Sequence, residues 1–157
     1  MEIRDPEPHG PLSQESLAQF EQAHGLTLPS DYREFLLEFN GGTPSPSSFW
    51  ISAPADASGI QQFYGLHDGP SWLSIRTYVE NPTIGVPTGM LPIGDDGVGD
   101  WICIGISGSR DGRIYFVDHE VHPFDDPESM EGITQLADSF KSFLASLMHH
   151  PEDVQDA

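Results

Sequence analysis

Apolar residues recur along this chain with two different periods, and the change of period separates helical from extended stretches. Between Leu28 and Gly42, the residues Tyr32, Phe35, Leu36 and Phe39 fall at i, i+3, i+4 and i+7, the spacing of one buried helical face. Asp31, Arg33, Glu34 and Glu38 lie mostly off that stripe and can face water. Pro29 suits a first helical turn, where its missing N–H is not needed, and Asn40 with Gly41 and Gly42 can take the left-handed conformation that closes a helix. Upstream, Ser13 reads as an N-cap, with Leu12 and Leu17 as a hydrophobic staple. Leu17, Phe20 and His24 form an inward stripe that Gly25 stops. Only Leu26-Thr27-Leu28 separates the two stripes, which predicts a helix hairpin.

Beyond Gly42 the period shortens. Residues 43–48, Thr-Pro-Ser-Pro-Ser-Ser, predict a loop. Phe49–Ile51 and Ile60–Tyr64 predict strands joined by small residues. Trp72–Glu80 reads as a short helix capped by Ser71 and followed by Pro82, although Ile75, Thr77, Tyr78 and Val79 suit a strand as well. Leu91–Ile93 opens the clearest sheet region. In Trp101–Ile106, Ile102, Ile104 and Ile106 share one face, while Trp101, Cys103 and Gly105 share the other. Ile114–Val117 is apolar throughout, which predicts an inner strand covered on both faces. The Asp111-Gly112 turn signal makes these two strands an antiparallel hairpin. Leu136, Phe140, Phe143, Leu144 and Leu147 predict a closing helix, with His149 and His150 at its C-terminal end, where positive charge is favoured. The expected organisation is a flexible N-terminal arm at 1–12, a single domain at 13–148 and an acidic tail at 149–157.

The wording of the second helix is specific. Leu28-Pro29-x-x-Tyr32-x-x-Phe35-Leu36-x-x-x-Asn40-Gly41-Gly42 resembles the signature helix of the SUKH superfamily, also called the Smi/Knr domain. Other features agree in order: the preceding helix with Leu17 and Phe20, then Leu91-Pro92-Ile93-Gly94-Asp95, Trp101–Gly105, Ile114–Asp118, and the closing helix with Phe140, Phe143 and Leu144. The resemblance implies an α+β fold, with an antiparallel or mixed β-sheet packed against an N-terminal helix hairpin and a C-terminal helix. It also implies a domain without catalytic machinery. Bacterial members look like immunity proteins that bind and neutralise toxins delivered between competing cells, and fungal relatives act as scaffolds or regulators in cell-wall signalling.

Composition narrows the partners. A chain of 157 residues, 37% hydrophobic, supports one core rather than two. Asp and Glu number 25 against six Lys plus Arg, a net charge of −19 with histidine neutral. Such a chain repels nucleic-acid phosphates and anionic membrane surfaces. A basic protein would be attracted and its encounter accelerated; the plain alternative is acidity that maintains solubility. The single Cys103 cannot form an intramolecular disulfide, and between Ile102 and Ile104 it reads as a buried structural thiol. The N-terminus lacks a basic stretch followed by an apolar run, and no segment approaches the roughly 20 apolar residues that cross a bilayer. The expectation is a cytoplasmic protein.

Two polar clusters carry candidate chemistry. Asp95-Asp96-Gly97-Val98-Gly99-Asp100 offers three carboxylates to a divalent cation, but it lacks the alternating ligands and distal Glu of an EF-hand loop and reads as a solvated turn. Asp118-His119-Glu120-Val121-His122, with Asp125 and Asp126, has spacings compatible with zinc; however, the His-Glu-x-x-His helix is absent and Pro123 marks a loop. Gly105-Ile106-Ser107-Gly108 misses the nucleophile-elbow spacing, and Gly94, Gly97 and Gly99 lack the lysine of a phosphate loop. No catalytic residue, cofactor or metal is predicted. The candidate partner contacts are Asp95, Asp96, Asp100, Asp118, Glu120, Asp125 and Asp126, with Trp50 and Trp72 as anchors unless they are core. The expected function is a non-catalytic domain that neutralises a basic toxin, nuclease-type or other, by direct binding. The competing classes are a regulatory scaffold and a metal-assisted hydrolase built on His119 and His122.

Overall fold

In the structure, a computed structural model that describes residues 2–53 and 56–150, the two N-terminal stripes form α1 (Gln14–His24) and α2 (Ser30–Phe39). Ser13 caps α1 by accepting the Ser16 N–H at 3.1 Å, and Gly25 closes it with φ at 63°. On α2, Tyr32 and Leu36 are wholly buried and Phe35 nearly so, while Phe39 at the end of the stripe is half-buried. Glu21 ties the two helices together. Its carboxylate accepts the Leu28 N–H at 2.8 Å and the Arg33 Nε–H at 2.9 Å, partners that offset the desolvation of a buried acid.

Asn40 gives the Asn-Gly-Gly wording its physical reason. Its backbone closes α2 in the left-handed region, at φ 42°, and its side chain is wholly buried. There it donates to the carbonyls of Gly10 at 2.9 Å and Leu66 at 3.1 Å, and accepts the Leu66 N–H at 2.8 Å. Gly42 follows at φ +103°, where a Cβ would lie 2.6 Å from Ile3 Cγ2 and 2.9 Å from the Arg4 carbonyl. The signature therefore joins three segments of backbone.

Five antiparallel strands form the main sheet in the order β5 (Gln62–Phe63), β6 (Met90–Asp95), β7 (Trp101–Gly105), β8 (Ile114–Val117) and β9 (Ile133–Ala137). Two ribbons stand beside it, β1 (Glu2–Arg4) with β2 (Thr43–Ser45) and β3 (Ser48–Ser52) with β4 (Asp56–Gly59). One face of the sheet presents Leu91, Ile93, Ile102, Ile104, Ile114 and Phe116 to the helical core. That core contains a cluster of rings: Phe35 lies 5.1 Å from both Phe63 and Phe140, and Tyr32 lies 5.2 Å from Phe140. The second face buries Met90, Cys103, Tyr115 and Val117, with Trp101 and Ile133 packed against them. Ile114–Val117 is thus covered on both faces, and burial pushes the Cys103 thiol well above its ordinary range.

Four local readings change. Residues 2–4 of the expected arm form β1, because Ile3 is buried and pairs with Pro44; Met1 lies outside the described residues. The expected loop at 43–48 contains β2, and Pro44 fits there because a two-stranded ribbon can spare a donor. The connection between Phe49–Ile51 and Ile60–Tyr64 contains β4. The closing helix α4 (Phe140–Ser146) begins later than its stripe, since Ser139 accepts the Ser142 N–H at 3.0 Å in a capping box and Leu136 belongs to β9. His149 and His150 therefore lie beyond the helix, and residues 151–157 of the tail lie outside the described residues. The helical option holds at Trp72–Glu80, as a 3-10 turn at Ser71–Leu73 and α3 (Ile75–Glu80), with Ser74 rather than Ser71 before α3. Among the described residues no helix is long and apolar enough to cross a membrane.

Candidate protein-binding surface

Antiparallel register sets one row of side chains across the second face of the sheet. Gln62 pairs with Asp95, Asp95 with Trp101, Trp101 with Val117, and Val117 with Ile133. Directly paired residues share a face. A register shift between Pro92 and Gly94 sets Asp95 opposite Trp101. The Val117 end of the row is buried, while the Asp95 end opens into a groove of about 620 Å³ lined by Tyr64, Trp72, Tyr78, Asp95 and Trp101 among others.

The walls of this groove are held by specific contacts. The Tyr64 hydroxyl donates to Asp95 Oδ2 at 2.9 Å, and Gln62 Nε2 donates to the same oxygen at 3.2 Å. The Tyr64 ring stacks on Tyr78 at 5.3 Å and 12°, and Tyr78 meets Trp101 edge to face at 5.7 Å. The Tyr78 hydroxyl donates to the Trp72 carbonyl at 2.7 Å, which fixes the turn that carries Trp72. Burial pushes both phenols above their ordinary range, so they stay neutral donors. Trp72 is 65% exposed.

The acidic loops form the adjoining rim. Asp95 Oδ1 accepts the Gly97 N–H at 3.0 Å, and Asp96 Oδ1 accepts those of Val98 at 3.0 Å and Asp100 at 3.1 Å. Asp100 Oδ1 accepts the backbone N–H of His119 at 3.0 Å and lies 2.6 Å from its Nδ1, bridging the 95–100 and 118–122 loops. Gly99, at φ +108°, allows this approach, because a Cβ there would lie 3.1 Å from the His119 ring. The bridge to Asp100 raises His119 above its usual pKa. Burial opposes ionisation of Asp100, but its hydrogen bonds with Asp96 and His119 outweigh it and hold that carboxyl below the usual range. Burial, followed by the hydrogen bond to Asp100, pushes Asp96 up to about 6.

The seven candidate acids therefore divide. Asp95, Asp96, Asp100 and Asp118 are half-buried and hold their own loops, Asp118 by accepting the Glu120 N–H at 2.9 Å. Glu120, Asp125 and Asp126 are exposed, and their carboxylates form no hydrogen bond or ion pair within the described residues. Asp100, Asp118 and His119 each place one ligand atom within 4.8 Å of the others, a set able to hold a divalent cation. His122 stands outside that set. It is buried, its Nδ1–H donates to the Glu131 carbonyl at 3.1 Å, and its ring lies edge-on to Phe124. The His119 and His122 pair required by the hydrolase reading is not assembled. Of the two expected anchors, Trp50 is half-buried in β3 and Trp72 is open. Sequence reasoning missed Tyr64, Tyr78 and Trp101 as a group; the available signal was the shared face of Trp101 and Cys103.

This α+β architecture and the Asn40-Gly41-Gly42 closure have a family. The chain belongs to the SMI1 / KNR4 family (SUKH-1), whose pattern matches residues 11–146. It is also similar to the SPbeta prophage-derived uncharacterized protein YokK of Bacillus subtilis (strain 168), with 29% identity over an alignment spanning 87% of this chain and 75% of that protein.

Proposed function

We propose that this protein is an immunity protein that binds a basic toxin in the cytoplasm and neutralises it by occlusion. The observation that carries this reading is the groove at the Asp95 end of the sheet, where Trp72 stands 65% exposed beside the hydrogen-bonded carboxylate of Asp95 on a chain of net charge −19. Membership in the SMI1 / KNR4 family (SUKH-1) supports a non-catalytic role. Glu120, Asp125 and Asp126 keep their carboxylates free to draw in a cationic surface, and the field of the whole chain accelerates the encounter. Trp72 then supplies the apolar anchor that slows departure. No bond is made or broken; the toxin loses access to its target because this domain covers it.

The test is co-expression with the products of neighbouring genes, followed by purification and kinetics. The expected outcome is a stoichiometric complex in which toxin activity is lost. Association should slow at least about tenfold between about 10 and 150 mM salt. A toxin that remains active in the complex, or an association rate indifferent to salt, overturns this reading. A stable complex with an endogenous regulator instead would favour the scaffold class.

A further inference from the structure

We infer that the groove between Trp72 and Trp101 is a receptor for one cationic side chain, a guanidinium in preference to an ammonium, supplied by the protein partner. Its biological role rests on the immunity reading, but the recognition itself belongs to this chain. Aromatic faces attract cations through the ring quadrupole, more strongly where water is partly excluded, and a carboxylate at the same site adds a charge-assisted hydrogen bond. Here buried Tyr64 stacks on Tyr78 at 5.3 Å and Tyr78 holds Trp101 edge to face at 5.7 Å, so that Trp101 and the exposed Trp72 line the groove with Asp95 in the same cross-strand row as Trp101. Asp95 is aimed by the Tyr64 hydroxyl, Gln62 and the Gly97 N–H, all neutral donors that leave its charge uncompensated.

Among the described residues no lysine or arginine lines the groove. Arg33 pairs with Glu21, Arg76 lies over the Phe20 ring, and Arg110 and Arg113 donate to Thr88 and Gln135. Neither Arg4 nor Lys141 forms an ion pair with Asp95. A cation seated beside Asp95 in this groove is therefore supplied by another molecule. A guanidinium can stack on an indole while its planar fork donates to a carboxylate, whereas an ammonium is a strongly hydrated point charge. An anionic occupant would meet Asp95, and a purely apolar one would strip water from that carboxylate without replacing it.

The test needs no toxin. The full chain, labelled with ¹⁵N, is titrated with N-acetyl-arginine amide at constant ionic strength while the indole N–H signals of Trp50, Trp72 and Trp101 are followed. N-acetyl-lysine amide and the uncharged isostere N-acetyl-citrulline amide serve as comparisons. The expected result is saturable movement of the Trp72 and Trp101 signals with Trp50 still, arginine binding more tightly than lysine, and citrulline about tenfold weaker than arginine. Trp72→Ala, on an exposed ring, should weaken arginine binding about fivefold, read at Trp101; Asp95→Asn should do the same, read at both indoles. No shift, equal shifts from citrulline, lysine matching arginine, or an unchanged affinity in Trp72→Ala overturns the inference. A failed titration alongside intact toxin binding removes the groove and keeps the immunity reading. A successful titration with no toxin bound does the reverse.

Discussion

On the helix-covered face of the sheet, Phe35 meets Phe63 and Phe140 at 5.1 Å; at the Asp95 end of the cross-strand row, Tyr64 meets Tyr78 at 5.3 Å and Tyr78 meets Trp101 at 5.7 Å. The ring separations are nearly equal, but Phe35 meets its partners edge to face, at 67° and 63°, whereas Tyr64 and Tyr78 stack at 12°, and the surroundings differ at the outer end. The first cluster is closed by Leu17, Leu36, Ile93 and Ile104, all wholly buried, and gains its stabilisation by leaving water. The second starts inside that same core, where Tyr64 is 2% exposed, and runs outward through half-buried Tyr78 and Trp101 to the Asp95 carboxylate and the open Trp72. Aromatic packing by itself does not separate a closed core from an open groove. The group that completes the cluster does, since a charged oxygen needs water or a cation as its neighbour.

Substitutions in the two regions should part company most widely in stability. Phe35→Ala removes a ring in contact with four others and should cost about 3–5 kcal/mol, read from denaturant unfolding. An unchanged midpoint would show that the helical face is not the core. Asn40→Ala should cost about 2–3 kcal/mol, because it strands the Leu66 N–H and two carbonyls and puts alanine in the left-handed region. A loss below about 0.5 kcal/mol would mean that the Asn-Gly-Gly closure is not structural. Trp72→Ala should change stability by no more than about 0.5 kcal/mol while weakening partner binding. A large loss of stability would place that ring in the core and erase the contrast.

The smallest effect concerns the rim. The Asp100 bridge raises His119, so its contribution is fully present below the unfolded value of 6.5 and fades as pH rises through the higher folded value. An imidazole titration followed by NMR should therefore show a midpoint above 6.5, and Asp100→Asn should bring it back toward 6.5. A midpoint at or below 6.5 in the unsubstituted protein would mean that the two acidic loops are not joined there.

The parts legible in the sequence are those whose causes lie within a few residues. Ser13, Gly25 and Asn40 mark helix ends through bonds to backbone three or four positions away, and the stripes of α1 and α2 name their own buried faces. Leu136 misled for a related reason. It sits four residues before Phe140 and so matches helical spacing, but Ser139 caps the helix between them and residues 133–137 satisfy their backbone along β8. β1 gave no periodic signal in three residues; its pairing with β2 and the packing of Ile3 over Gly42 hold it in place.

The acidity and the helix ends were thus determined by the chain alone, since charge is a sum over residues and caps act locally, while the α+β class was legible through the resemblance of the signature helix. Which carboxylates remain free, and which rings stand beside Asp95, was decided only by tertiary structure. Gln62, Asp95 and Trp101 become neighbours through strand register, and Tyr78 joins them from a separate helix. Register depends on pairing across long separations and on one shift at Pro92, and a slip by a single residue would turn Asp95 to the other face.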